Sequence, residues 1–507
     1  MSDSNTLDSL KQLLDEELAR ETASPAKPAP KAPTVTWEEV QGPKPFQESL
    51  IWDWQREFFA AAGPEAWRQG IVPHYITSSS FAARAYAQVV AGHQLDRALA
   101  GETAPLTIME LGGGSGQFTF HFLKHYGELI TPLLPPLRYL FTDVVQENLD
   151  FVRQHPLMQH FVELGVLEVA LFDVMNPQPL ELQIEEMQWL TEPQSEPLVV
   201  LANYVWDTVP MERWRVREGE TYPLDVSLWL PQNGEAADYR RLPELQLRYQ
   251  EGAAVQAPHP LIQQYAEHMP DCEVLLPKAG LQCLDWLAER TQGHLMLLSG
   301  DKPQGAVQAG DDPGRLVHHG SFSLSVNFEA FHWWARQQQG QALVPQRQHR
   351  SLYVGLYTAA AVVVGPYLEQ AVQQWLKDFH PGDQFVLKRA IEQRYDLLTF
   401  DEVMAYVRFS HYDPKALRRG IPTLMALASG ITDRQVQELT ELMIWVWDNY
   451  YPMGEEPDLA FLIGSLFYEL DAFEQALMFF DHSVALYGPD EGTMANIKSC
   501  KEMLGLD

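Results

Sequence analysis

The chain has 507 residues and a formal net charge of −32 at pH 7, and 46% of its residues are hydrophobic. This length exceeds one ordinary domain, so two or three domains with sizeable cores are expected. The acidic excess argues against a nucleic-acid partner, because such proteins neutralise phosphates with clustered Lys and Arg. No apolar run reaches the length of a membrane span, so no membrane partner is expected.

The cysteines and the N-terminus indicate a reducing compartment. Cys272, Cys283 and Cys500 are the cysteines of the chain. They are too few for a disulfide framework, and they lack the paired spacing of a zinc site. Residues 1–20 are acidic and have no apolar core of the kind found in signal peptides. We therefore expect a cytoplasmic protein without a metal site.

The N-terminal tail is predicted to precede the folded body. Residues 5–20 carry leucines at helical spacing, whereas residues 23–34 are rich in Pro, Ala and Lys and predict an extended linker. The ordered body is expected to begin near Trp37. Residues 46–70 contain many aromatic side chains and are predicted to be helical, and a further helix is predicted over 81–95.

The segment Leu106–Lys124 combines a strand, a glycine-rich turn and a helix. Leu106–Leu111 is an apolar run typical of a buried strand, and the turn Gly112–Gly116 follows it directly. Glycines let the backbone reach positive φ and let a ligand approach closely, and the next helix presents unpaired N–H groups. The segment therefore predicts a site for a nucleotide-like ligand.

Further apolar strands follow at 137–142, 167–172 and 197–202, with helices between them. This alternation predicts parallel strands, and in parallel sheets ligands bind at the carboxyl ends of the strands. Polar or glycine residues stand at four such ends, namely Gly112, Asp143, Asp173 and Asn203.

Residues 204–292 interrupt the alternation and are predicted to form an insertion. The elements predicted inside it are a strand at 226–230 and helices at 260–268 and 281–291. The alternation then resumes with a strand at 294–299, a helix at 327–339 and a closing strand at 352–357.

From about Pro366 the strand signals stop, and only helices are predicted to the end of the chain. Residues 457–490 resemble a single tetratricopeptide unit, in which small residues let two helices approach and aromatics fill the gap. The residues that carry this resemblance are Ile463, Gly464, Phe467, Ala476, Phe480 and the turn Gly488–Pro489. A plain helical bundle is the alternative, because the preceding helices show no clean repeat.

The glycine spacing excludes two common nucleotide sites. A dinucleotide site needs G-x-G-x-x-G, and its third glycine is missing whether the pattern starts at Gly112 or at Gly114. A P-loop needs a Lys-Ser/Thr pair after its glycines, which is also missing. The pattern that stands here is Glu110-x-Gly112-x-Gly114-x-Gly116. It resembles the first motif of Rossmann-like methyltransferases that use S-adenosyl-L-methionine (SAM).

That resemblance implies roles for three acidic residues. Asp143 stands where the family holds the ribose hydroxyls, with a carboxylate that accepts two hydrogen bonds. Asp173 stands where an acidic or polar residue faces the adenine amino group. Glu110 is expected either to pin the turn or to approach the ammonium group of the ligand. A turn or helix-cap role is the alternative for either aspartate.

A closer resemblance, over about residues 70–360, is to the MidA family, which includes a mitochondrial complex I assembly methyltransferase that modifies an arginine. The stretch Asn203–Pro210, Asn-Tyr-Val-Trp-Asp-Thr-Val-Pro, is similar to the family's Asn-Glu-x-x-Asp-Ala-x-Pro motif. The other similar stretches are Tyr75–Ser79, Gly293–Asp301, Ser325–Phe331 and Leu352–Leu356.

The chain departs from this family at two points. The Glu that follows Asn in the motif is Tyr204 here, and the family's Asp-Tyr-Gly becomes Ser299-Gly300-Asp301. A guanidinium nucleophile needs carboxylates to orient it and to receive its proton, so losing one argues against arginine methylation. Asp207 is expected to accept the proton, while Asn203 and Tyr204 position the acceptor. A turn held by Asx hydrogen bonds is the alternative.

Together these features predict an α/β protein with a Rossmann-like SAM methyltransferase sheet, a helical N-terminal cover and an insertion, followed by an all-α domain. The predicted parts are a tail at 1–35, a methyltransferase-like domain at 36–360 and a helical domain at 361–507. We expect a SAM-dependent methyltransferase acting on a protein side chain, with the helical domain binding substrate or partner. The alternatives are a non-catalytic adaptor that works through the helical domain, and methylation of a small molecule.

Overall fold

The computed structural model describes residues 36–72, 75–129, 134–269, 271–304, 317–319, 321–346, 351–455 and 458–506. The segment 5–20, with its leucines at helical spacing, and the linker predicted over 23–34 lie outside these residues. Within the described part, none of the helices has the length and apolar character needed to cross a membrane.

The elements alternate between strands and helices in the first two thirds of the chain and are helical thereafter. The strands are β1 Trp37–Pro45, β2 Leu106–Leu111, β3 Leu137–Asp143, β4 Leu167–Leu171, β5 Leu180–Leu182, β6 Met187–Trp189, β7 Leu198–Asn203, β8 Glu212–Arg217, β9 Glu220–Pro231, β10 Gln246–Glu251, β11 Asp271–Leu276, β12 Leu295–Asp301, β13 Val317–His319, β14 Ser321–Ser323, β15 Ala342–Leu343 and β16 Tyr353–Thr358. The α-helices are α1 Leu50–Ala62, α2 Glu65–Arg68, α3 Tyr75–Ser78, α4 Ser80–Leu99, α5 Gln117–Leu129, α6 Gln146–Gln154, α7 Pro156–Glu163, α8 Pro260–His268, α9 Lys278–Arg290, α10 Glu329–Gln337, α11 Pro366–Val372, α12 Pro381–Glu392, α13 Phe400–Phe409, α14 Pro414–Leu427, α15 Asp433–Asp448, α16 Leu459–Glu469, α17 Phe473–Tyr487 and α18 Glu491–Leu504.

A seven-stranded sheet carries the candidate site, in the order β15-β16-β12-β7-β2-β3-β4. The strands from β12 to β4 run parallel, whereas β16 runs antiparallel to both of its neighbours. The strands predicted from the sequence agree with this sheet to within two residues at each end. The two-residue strand β15 was not predicted, because so short a segment carries no periodic signal.

Both faces of the sheet are covered, which explains why β2 reads as a continuous apolar run. Leu106 and Ile108 pack into the core on one face, and Met109 and Leu111 pack into the core on the other. The strand order reverses between β2 and β7, so a crevice opens there at the carboxyl ends of the strands. The glycine turn follows β2 at this crevice.

A second, antiparallel sheet is built mainly from residues between β7 and β12, in the order β1-β9-β8-β11, with β10 also pairing with β9. Its edge strand β1 was not predicted. The sequence of β1 is mostly polar and contains Pro43 and Pro45, which favour an edge strand or no strand. Its pairing with β9 is irregular, with register shifts on either side of Gln41.

The helices after β16 pack back onto α4. The carboxylate of Asp96 in α4 accepts hydrogen bonds from the backbone N–H groups of Tyr367 and Leu368, at 3.2 and 2.8 Å. The pair α16 and α17 forms as a close helix hairpin, since a Cβ at Gly464 would lie 2.8 Å from the ring of Phe480. One such pair does not define a repeat array, so the tetratricopeptide interpretation and the domain boundary near residue 360 stay predictions.

Candidate active site

The glycine turn after β2 has the backbone geometry that its sequence requires. Gly112, Gly114 and Gly116 have φ angles of 60°, 61° and 77°, which side chains rarely adopt. Gly113 is needed for a different reason, because a Cβ there would lie 2.1 Å from the ring of Phe141. Each glycine of the turn is therefore explained by backbone conformation or by close packing.

Asp143, the last residue of β3, is tied to this turn. Its Oδ2 accepts a hydrogen bond from the N–H of Gly114 and its Oδ1 accepts one from the N–H of Val145, both at 2.9 Å. Burial raises the pKa of Asp143, and these two hydrogen bonds oppose that rise. The carboxylate thus holds the turn and keeps further lone pairs for ligand hydroxyl groups.

Glu110 lies inside the protein and binds neighbouring elements. Its Oε2 accepts hydrogen bonds from the hydroxyls of Thr119, at 2.5 Å, and Tyr139, at 2.8 Å. Burial raises the pKa of Glu110 to about 7. Glu110 therefore joins β2 to α5 and β3, and it does not line the cavity described in the next paragraph. This placement favours the role of holding the turn over the role of approaching the ligand's ammonium group.

One cavity at the carboxyl edge of the sheet brings several predicted residues together. It is lined by Gly112, Asp143, Asp173 and Tyr204. Helices α1 and α2 cover it with Gln55, Arg56, Phe59 and Trp67. Gly114 and Gly116 do not line it, since Trp67 lies against the first and Val152 against the second. Asn203 and Asp207 also lie outside its lining.

Asp173 forms an ion pair with Arg56 of helix α1, which covers the cavity. Its carboxylate forms a two-pronged pair with the guanidinium of Arg56, at 3.2 and 2.9 Å, and also accepts a hydrogen bond from the N–H of Met175. Both side chains of the ion pair are partly exposed. The pair connects helix α1 to the end of β4, and its position at the cavity is compatible with the predicted contact to adenine.

Two polar side chains in the cavity were missed by the sequence analysis. Gln55 and Asn148 are almost fully buried, and their Oε1 and Oδ1 atoms have no hydrogen-bond partner among the described residues. Both atoms are acceptors, and the adenine amino group, ribose hydroxyls and ammonium group of SAM are donors. These acceptors and Asp143 therefore fit SAM. Asn148 stands in the first turn of the helix after Asp143, and this position is a sequence signal for it, whereas nothing local marked Gln55.

The end of β7 has an unusual backbone. Tyr204 has a φ of 51°, a left-handed conformation that costs free energy for a residue with a side chain. Its N–H donates to the carbonyl of Gly300 at 2.9 Å and its hydroxyl donates to the carbonyl of Ser351 at 3.2 Å. Beside it, the Oδ1 of Asn203 accepts a hydrogen bond from the hydroxyl of Tyr86 at 2.7 Å.

Asp207 lies next to a second carboxyl group that the sequence analysis did not assign to the site. The N–H of Asp207 donates to Oδ2 of Asp301 at 3.3 Å. Burial raises the pKa of both residues, and the charge of Asp207 adds to the rise at Asp301. A carboxyl group thus stands two residues after Ser299, at the end of β12.

The parallel sheet, the glycine turn after its central strand and the acidic residue after the next strand define a Rossmann-like SAM-dependent methyltransferase fold. Residues 89–301 match the sequence model of the family described as "Putative S-adenosyl-L-methionine-dependent methyltransferase". SAM is the cofactor of this region. The match begins within α4 and ends at Asp301, so it includes every predicted site residue.

Solved structures also resemble the chain, at low similarity. A protein from Burkholderia thailandensis is 12% identical with a TM-score of 0.37, over 73% of this chain and 96% of that one. Another Burkholderia thailandensis structure, bound to S-adenosyl-homocysteine, is 14% identical with a TM-score of 0.34, over 68% and 80%. Phosphoethanolamine N-methyltransferase 1 of Haemonchus contortus is 8% identical with a TM-score of 0.27, over 89% and 83%. The search of curated proteins gave no match.

Proposed function

We propose that the protein transfers a methyl group from SAM to a nitrogen-bearing side chain of another protein. The observation that carries this proposal is a shared cavity, which is lined by Gly112 and Asp143 on the cofactor side and by Tyr204 on the side of the predicted acceptor segment. SAM, when bound, supplies a methyl group on a sulfonium that a nucleophile displaces.

The cofactor would be held by acceptors on three elements. Asp143 would bind the ribose hydroxyls, and Asn148 and Gln55 would receive hydrogen bonds from the remaining donors of the ligand. Gly112 leaves the turn open to the cavity, because a Cβ there would contact only Val205 among neighbouring side chains. Phe59 and Trp67 provide an apolar cover, which excludes water from the reacting groups.

The acceptor would approach the end of β7, between Tyr204 and the pair Asp207–Asp301. The Oδ1 of Asp207 is buried without a hydrogen-bond partner among the described residues, which is costly unless a donor arrives. An N–H group of the acceptor supplies that donor. Asp207 would receive the proton that the acceptor nitrogen releases when it is methylated, and S-adenosylhomocysteine would be the leaving group.

The carboxyl group of Asp301 bears on the argument against arginine methylation, which was that Tyr204 stands where the MidA family has a carboxylate. A guanidinium is oriented by carboxylates, and one at Asp207 alone would be poor support. The backbone N–H of Asp207 donates to the carboxyl group of Asp301, so a second carboxyl group lies close to Asp207. This arrangement, with the resemblance to MidA-like enzymes, supports a guanidinium acceptor on a protein over an acceptor without N–H groups.

Calorimetric titration with SAM and S-adenosylhomocysteine tests the cofactor assignment. We expect binding by the wild type and its loss in Asp143→Ala. A wild type that binds neither ligand contradicts the proposal and favours the adaptor alternative. Incubation of a cell extract with labelled SAM, followed by mass spectrometry, then identifies the acceptor.

A further inference from the structure

A tyrosine from the helical part of the chain reaches the glycine turn. Tyr451 follows the end of α15 by three residues, and its hydroxyl donates a hydrogen bond to the carbonyl of Ser115 at 3.0 Å. Ser115 lies between Gly114 and Gly116, and Ser115 and Tyr451 are almost fully buried, with 4% and 3% of their surface exposed. The two residues are 336 positions apart in the sequence.

This contact completes the restraint of one peptide group. The N–H of Gly116 donates to the carbonyl of Gly113 at 3.1 Å, so the peptide between Ser115 and Gly116 is held at its nitrogen end. Tyr451 holds the same peptide at its oxygen end. Glycines on either side of Ser115 allow the backbone to rotate easily, and a peptide bound at both ends is protected against such rotation.

The ring of Tyr451 is itself fixed in place. It stacks on the imidazole of His155, with ring centres 4.0 Å apart and an angle of 16° between planes. His155 Nε2 lies 3.0 Å from the carbonyl of Pro452, and its Nδ1 accepts from the N–H of Leu157 at 3.3 Å. Because Nδ1 accepts a hydrogen bond, the ring proton lies on Nε2 and is donated to Pro452, and burial lowers the pKa of His155.

Other residues near Tyr451 contact helix α5, which follows the glycine turn, and helix α2, which covers the cavity. Asp448 forms an ion pair with Lys124 of α5, the helix that follows the glycine turn. Gly454 lies against Arg68, since a Cβ there would be 3.2 Å from the guanidinium. Arg68 is next in sequence to Trp67, which lies on Gly114. Residues 448–454 thus contact the turn through Tyr451, the helix after the turn through Asp448 and helix α2 through Gly454.

We propose that Tyr451 is a positioning residue of the cofactor site, through which the helical part of the chain holds the glycine turn in its SAM-binding conformation. The proposal rests on the proposed function in one respect only, that the cavity binds SAM. It assigns the helices a role in cofactor affinity, in addition to any partner that they bind.

The substitution Tyr451→Phe tests it, because it removes the hydroxyl and keeps the ring on His155. Tyr450→Phe is the matched control, since Tyr450 is equally buried and its hydroxyl instead meets that of Tyr487 at 2.9 Å, inside the helical part. We expect Tyr451→Phe to raise the Kd for S-adenosylhomocysteine about three- to tenfold, the loss of one hydrogen bond. Tyr450→Phe should leave that Kd within about twofold while costing similar stability.

Hydrogen exchange on the wild-type full chain provides a second test that needs no variant. Ligand binding and segment order are reciprocally linked, so S-adenosylhomocysteine should slow amide exchange in peptides covering 448–455 more than in peptides covering α17. Equal Kd values for the two variants, or unchanged exchange at 448–455 in the ligand-bound protein, would overturn the proposal. Absence of ligand binding by the wild type would instead overturn the cofactor assignment.

Discussion

The backbone N–H of Asp207 donates to Oδ2 of Asp301 at 3.3 Å, and both of these aspartates are buried near the carboxyl ends of the adjacent strands β7 and β12. The charge of Asp207 adds to the effect of burial in raising the pKa of Asp301, so ionisation of one carboxyl group opposes ionisation of the other. A buried acidic pair is costly to keep for structure alone. Asp207 follows Tyr204, which lines the cavity, by three residues, and this proximity is the reason to seek catalysis there.

Removal of either carboxyl group should slow methyl transfer without releasing the cofactor. We expect Asp207→Asn to lower the rate on the identified acceptor by about a hundredfold, the usual contribution of a proton acceptor. Asp301→Asn should lower it less, because Asp301 acts through Asp207. Rates are measured with labelled SAM, and the Kd for S-adenosylhomocysteine serves as the control. An unchanged rate in Asp207→Asn shows that the acceptor segment is wrongly assigned.

Gly113 offers a test of the turn itself. The substitution Gly113→Ala drives a Cβ into the ring of Phe141, and we expect a loss of about 1–3 kcal/mol in the free energy of unfolding together with weaker SAM binding. Gly127→Ala is the matched control, because that glycine lies in α5 with nothing within 4 Å of the added Cβ. It should be neutral or gain up to about 1 kcal/mol. Urea unfolding and calorimetry measure both effects, and equal behaviour of the two variants would refute the packing argument.

Glu110 should make stability depend on pH. Burial raises its pKa to about 7, so its protonated form stabilises the folded state. That contribution is complete below the ordinary pKa of a glutamate, near 4.5, and is lost as the pH rises through about 7. Glu110→Gln removes the effect, which is at most about 3 kcal/mol. Between about pH 5 and pH 8, the free energy of unfolding should therefore decrease less with pH in this variant than in the wild type. The same decrease in both proteins would contradict the raised pKa of Glu110.

Substitutions at Asp173 and Arg56 distinguish two roles of Asp173, a contact to the adenine amino group and a role only in the ion pair with Arg56. If Asp173 accepts from the adenine amino group, Asp173→Asn raises the Kd for S-adenosylhomocysteine about tenfold, whereas Arg56→Ala changes it little. The stability cost of Arg56→Ala should stay within about 1 kcal/mol, because both side chains are partly exposed. Equal losses of affinity in the two variants would assign the effect to the ion pair and remove Asp173 from the adenine site.

Much of the fold and the cofactor half of the site could be predicted from local sequence. Strand β2, the turn and α5 are contiguous, and each is specified by apolar periodicity or by backbone conformations that only glycine tolerates. Asp143 was found because a residue that closes a parallel strand must lie at the binding edge of the sheet. In contrast, β1 was not predicted from the sequence. Its prolines and polar residues do not favour a strand, and the strand forms by pairing with β9.

The acceptor half and its supports depend on packing between distant parts of the chain. Asp301 stands 94 residues from Asp207, and Tyr451 stands 336 residues from Ser115. No periodicity or spacing relates such residues, because their contact arises from the order of strands in the sheet and from the way the helices after β16 fold back. Local conformational preference therefore determines where the cofactor turn lies, and only tertiary packing decides which carboxyl groups and which tyrosine surround it.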